Sequence, residues 1–180
     1  MIAPDHQPLV LTLSLDPAAQ ARFDAERAEL FPPGRTAVGA HVTLFHALPG
    51  DRLPELLGEL AGTCRREPFP VRVTALASLG RGVAYRLDSA ELAGLHADLQ
   101  RRWWPWLTRQ DRQGFRPHVT VQNKVEPAVA ARTLRERAAT FAPFSIEALG
   151  LRLWRYLGGP WAELHRLPFT GLPARERFRP

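Results

Sequence analysis

Two short segments of this chain repeat one order of side chains: His41-Val42-Thr43-Leu44 and His118-Val119-Thr120-Val121 both read histidine, apolar, threonine, apolar. Imidazole gives or takes a proton near neutral pH, and a threonine hydroxyl can donate to a phosphate oxygen. A pair of imidazoles lets one neutral ring accept a proton from an attacking oxygen while the other, charged, protonates the leaving oxygen. That is the equipment of phosphoryl chemistry, and it needs no metal. A single strand histidine is ordinarily a hydrogen-bonded boundary residue. With 6 His and 10 Thr in the chain, two such matches arise by chance at roughly 0.002, so the pair carries the reading.

The spacing works only if each segment is a strand. Successive strand residues point to opposite faces, so His41 and Thr43 share one face and Val42 and Leu44 the other, and likewise for His118, Thr120, Val119 and Val121. The surrounding pattern supplies the strands and their supports. Alternating leucines over 9–15 predict a strand, Asp16 and Pro17 open a helix to about residue 30, and 41–45 returns as a strand. Leu53, Leu56, Leu57 and Leu60 mark an amphipathic helix before a strand over 71–78. Then comes a strand over 83–87, a helix opened by Asp88 with the stripe Leu92, Leu95 and Leu99, and a Trp- and Arg-rich loop over 101–116. A strand over 118–124, a helix over 126–140 and strands over 145–156 and 161–169 complete the chain, the last two joined at Gly158-Gly159-Pro160.

The order strand, helix, loop, histidine-led strand, helix, strand thus occurs twice, with 25 residues from Asp16 to His41 and 30 from Asp88 to His118. We therefore expect an α+β fold of two similar lobes, with antiparallel-rich sheets flanked by outer helices around a central cleft. The expected organisation is one bilobal domain over 1–180, its pseudo-twofold halves at about 8–80 and 82–170.

Composition fits a folded, soluble class. Hydrophobic residues are 45% and charged residues 23% of 180, outside the range of disorder. Arginine supplies 23 of the 24 basic residues and the net charge is +6. Residues 1–60 carry an acidic excess and the remaining two-thirds a basic one, which favours polyanions such as nucleic acid or phosphorylated small molecules. The lone cysteine, Cys64, excludes an intrachain disulfide and a thiolate zinc cluster, and a reducing cytosol fits best. No signal peptide and no membrane span is expected. The expected state is a cytoplasmic monomer without cofactor or metal.

Other residues give weaker signals. His46 is expected in a loop, off the face of His41, and His96 on the packed side of its helix. Phe45, Trp154 and Tyr156 are candidates for stacking on a base, and Arg86 and Arg72 for lining the cleft. The tryptophans of 101–116 are read first as core anchors and second as a base-stacking surface.

The paired motifs resemble those of the 2H phosphoesterases, named for two H-x-T-x segments, and within them the bacterial 2'-5' RNA ligase-like (LigT-like) proteins. FPPGR before the first motif, Phe45 and Leu48-Pro49-Gly50 after it, and Phe115-Arg116-Pro117 before the second are similar to that family too, over about residues 9–169. The resemblance implies a bilobal fold with the motifs in its cleft. It also implies metal-free opening or formation of cyclic or 2'-linked phosphodiesters at RNA termini or on cyclic nucleotides. His41, Thr43, His118 and Thr120 become the expected catalytic set, with His118 activating water and His41 protonating the 3' oxygen, roles that the sequence alone does not separate. Members often carry a basic residue where this chain has Asn123. Lys124, next along and on the face of His118 if the strand stays regular, is the candidate replacement. An RNA-binding module with little turnover, a 2'-5' ligase and a phosphodiesterase for another small molecule remain the alternatives.

Overall fold

The computed structural model describes residues 6–34 and 38–171; Arg35, the last residue of the FPPGR lead-in, lies outside them. Its elements run β1 (Leu9–Leu15), α1 (Pro17–Leu30), β2 (Val42–Leu48), α2 (Leu53–Thr63), β3 (Phe69–Ser78), β4 (Val83–Asp88), α3 (Ala90–Trp103), β5 (His118–Gln122), α4 (Pro127–Ala139), β6 (Phe144–Tyr156) and β7 (Trp161–Pro168). The strands form one antiparallel sheet in the order β2-β1-β6-β3-β4-β5, with β7 beside β6. The 13-residue β6 joins the two lobes: its first part pairs with β3 and its remainder with β1 and β7. The sheet curls, so its two end strands, β2 and β5, lie against each other. These are the two histidine-led strands.

The local signals explain the elements. Asp16 caps α1 by accepting from the Ala19 N–H, with Pro17 in the first turn where its missing donor costs nothing. The other carboxylate oxygen accepts from the Glu147 N–H of β6, which fixes the helix to the sheet. In α3 the cap is Ser89 rather than Asp88, and the helix runs on to Trp103, shortening the expected loop.

The core is built from the leucine face of β1, the inward faces of the other strands and the stripe Leu92, Leu95, Leu99 and Trp103 of α3. Burial of this apolar surface is the main source of stability. Cys64 lies in this core, where burial pushes its thiol up to about 11, so it is an inert packing group. The helices cross between the lobes: α1 packs on β5, while His96 and Trp103 of α3 pack on Phe45 of β2. Each motif strand is backed by a helix from the other half of the chain.

Candidate active site

β1 sets the orientation of the first motif. Thr12 pairs with Thr43 and Leu13 with Val42, so Val42 joins the core face while Thr43 and the preceding His41 take the opposite, concave face. β4 does the same for the second. Tyr85 pairs with the fully buried Val119, and Arg86 and Ala84 pair with His118 and Thr120 on the concave face. The four motif residues therefore line the inner faces of two strands that lie against each other.

The two imidazoles are held in the same way. His41 Nδ1 lies 2.8 Å from the carbonyl of Gly39, and His118 Nδ1 lies 2.9 Å from the carbonyl of Arg116, each two residues upstream. A carbonyl only accepts, so Nδ1 carries the proton in both rings and the neutral ring leaves Nε2 as a bare acceptor. Neither Nε2, nor the hydroxyl of Thr43 or Thr120, has a hydrogen-bond partner among the described residues. His41 also packs against the Trp161 ring at 4.8 Å. Its pKa is pushed down to about 4, chiefly by burial and further by the positive charges of Arg27, His118 and His46, against an opposing bond to Gly39. His41 is therefore neutral at physiological pH.

Both motifs end in a β-bulge. On β2 the register steps from Thr43 to Phe45 over one residue of β1, leaving Leu44 unpaired; on β5 it steps from Thr120 to Gln122 over one residue of β4, leaving Val121 unpaired. A bulge reverses the alternation beyond it. Phe45, expected to stack on a base, instead turns inward, is fully buried, and stacks on His96 at 4.7 Å with its edge toward Trp103. Gln122 is likewise buried and donates to Thr133 of α4. The strand then stops, and Lys124 sits in a turn at φ 62° with its own N–H bonded to the Asn123 side chain. The regular strand that would have aligned Lys124 with His118 does not continue that far.

Of the remaining candidates, Arg86 is exposed on the concave face beside His118, and Tyr156 is exposed at the β6–β7 turn, opposite Trp161. Trp154 donates to the buried Thr12 hydroxyl at 2.8 Å, behind Thr43. Trp103 anchors the core, while Trp104 is exposed under the Arg112 guanidinium. His46 falls within β2 rather than in a loop; it bonds the buried Asp111 carboxylate, which also accepts the N–H groups of His46 and Ala47. His96 is buried as expected, its Nε2 donating to the Leu44 carbonyl at 3.2 Å.

Sequence reasoning missed the face of α1 that holds the site. Gln20, Asp24 and Arg27, spaced i, i+4, i+7, grip the segment before His41: Gln20 donates to the Ala40 carbonyl, Asp24 accepts the Ala40 N–H, and Arg27 donates to the Val38 carbonyl. The other guanidinium nitrogen of Arg27 donates to the Thr120 carbonyl. Arg27 is buried, and charged residues are almost never buried unless paired. The available signal was that α1 lacks a clean apolar stripe, since polar groups occupy part of its inner face.

Among the described residues no group of three His, Cys, Asp or Glu is arranged to hold a metal ion, and no helix is long and apolar enough to cross a membrane.

The fold has counterparts among solved structures. It is similar to TT0787 of Thermus thermophilus, with a TM-score of 0.64 at 19% identity over 91% of this chain and 98% of that one. It is also similar to E. coli LigT complexed with 3'-AMP, at 0.61 and 21% over 92% and 99%, and to LigT complexed with ATP, at 0.56 and 22% over 92% and 99%. No curated protein matches in sequence. The family model of the 2'-5' RNA ligase superfamily matches residues 15–160, which span both histidine motifs and well over half the chain, and this chain therefore belongs to that superfamily.

Proposed function

We propose that the protein opens 2',3'-cyclic phosphates at RNA ends or on nucleotides to 2'-phosphates, with His41 and His118 as the proton-transfer pair. The observation that carries this reading is the matched presentation of the two rings, each with Nδ1–H tied to the carbonyl two residues back and Nε2 bare. Water adds to phosphorus and gives a proton to His41 Nε2. The bond from phosphorus to the 3' oxygen breaks, and that oxygen takes a proton from Nε2 of His118, which enters the step as the imidazolium with both ring nitrogens protonated. His41 suits the base role because burial keeps it neutral, which exchanges the roles expected from sequence. Thr43 and Thr120 donate to the non-bridging oxygens, where charge builds in the transition state. No step is routed through a metal. That E. coli LigT is found complexed with 3'-AMP, NADP+ and ATP supports a nucleotide ligand.

The same pair acting in the same direction, with a 5' hydroxyl in place of water as the nucleophile, joins ends through a 2'-linked diester as the bond to the 3' oxygen breaks. A substrate panel of cyclic nucleotides, cyclic-phosphate RNA ends and 2'-5' linked dinucleotides, in chelator and with products identified by phosphorus NMR, tests the reading. Conversion of the cyclic phosphates to 2'-phosphates supports it. Products that are exclusively 3'-phosphates, or no turnover of any member despite binding, overturn it, the latter in favour of an RNA-binding module.

A further inference from the structure

We infer that the site takes a substrate with a second phosphate on the 5' side of its terminal nucleoside, held by Arg86 and Arg116; this rests on the proposed cyclic-phosphate chemistry. A cavity of about 740 Å³ extends from His118 between the concave face of β3 and β4 and the flank of α3. That is ample for one nucleotide. Small residues make the room: Ala77 and Ala84 on the sheet side and Ala93 and Ala97 on the helix side all line it. The Phe115 ring, stacked on His96 at 3.9 Å, adds an apolar wall.

Trp161 packs against His41, and the cavity is lined by His118. It gives a nucleoside room on the His118 side of a phosphate held at the imidazoles. Two arginines line that side, Arg86 opposite His118 on β4 and Arg116 two residues before it. Both are exposed, and neither has an ion-pair partner among the described residues. The one carboxylate in the lining, Asp88, is exposed two residues beyond Arg86 on β4, its backbone in register with Arg72 of β3. One phosphate occupies the imidazoles, and the two guanidiniums that line the cavity beside His118 match the next phosphate along the chain, which a guanidinium fork grips in two bonds.

The experiment compares kcat/KM for adenosine 2',3'-cyclic phosphate, its 5'-phosphorylated form and a dinucleotide ending in the cyclic phosphate, in the parent and in R86M/R116M. The 5'-phosphate should raise kcat/KM at least about 10-fold at low salt, and this ratio should fall toward 1 in the double variant. The dinucleotide separates an internal diester from a terminal phosphate as the preferred group. In parallel, calorimetry compares adenosine 2'-monophosphate with adenosine 2',5'-bisphosphate, which needs no turnover. Turnover without a 5'-phosphate preference, or a preference that survives R86M/R116M, overturns the subsite. A bisphosphate preference that is lost in the variant, with no turnover of any substrate, supports the subsite while overturning the catalytic reading.

Discussion

Arg27, on the helix that follows the first strand, donates a hydrogen bond to the carbonyl of Thr120, 93 residues later, in the second motif. Its other terminal nitrogen donates to Val38, three residues before His41. One buried guanidinium thus ties the two histidine-bearing strands together and contributes positive charge beside His41. Replacing Arg27 by Met leaves two carbonyls without this donor, at a cost of about 1 to 3 kcal/mol each. The acid limb of kcat/KM against pH should also move upward, because His41 loses one of the charges that hold it neutral. A lower melting temperature with an unmoved limb would reduce Arg27 to a structural tie. Arg27→Lys keeps the charge but not the fork, so its limb should stay near the parent's while its melting temperature falls.

The neutral state of the half-buried His41 makes stability depend on pH. In the fold its pKa is about 4 against the ordinary 6.5, so below pH 6.5 the unfolded chain takes the proton more readily. The contribution is whole above 6.5 and is lost as pH falls toward 4. His96, lowered chiefly by burial, acts in the same direction. Melting temperatures measured from pH 7 to 4 should therefore fall less steeply in His41→Asn than in the parent. Parallel curves would contradict the lowered pKa of this ring.

Asp111 fastens the segment leading to the second motif onto the strand of the first. Its carboxylate is buried and accepts the N–H groups of His46 and Ala47 together with the His46 ring, bonds that hold its pKa below the ordinary range against the opposing effect of burial. Asp111→Ala leaves those donors unpaired and should cost about 3 kcal/mol, read in denaturant melts. A loss under about 1 kcal/mol would mean that the strand holds its place without it.

The motifs and the strand and helix order were legible because they rest on local patterns: leucine alternation in β1, the Asp16-Pro17 cap, the stripe of α3 and the repeated H-x-T-x. What was hidden depended on pairing. Nothing in HVTLF or HVTVQ marks Leu44 and Val121 as bulge residues; the bulges exist because β1 and β4 offer one residue against two. Phe45 was misplaced for that reason, and the regular strand on which the alignment of Lys124 with His118 depended ends at Gln122. Arg27 and Asp111 carry no mark in the sequence; the packing of α1 on β5 and of the segment around residue 111 on β2 turns them inward. Trp161 became visible as a neighbour of His41 only once β7 was laid beside β6.

The central claim is that His41 and His118 act together on one phosphate. The direct measurement is kcat/KM on the best 2',3'-cyclic phosphate for the parent, His41→Ala and His118→Ala, with folding checked by thermal melts. Each substitution should lower the rate by at least about 100-fold, and the parent's pH profile should be a bell whose acid limb belongs to the neutral His41. If both variants fold and still turn over at near the parental rate, the two motifs are not the catalytic centre.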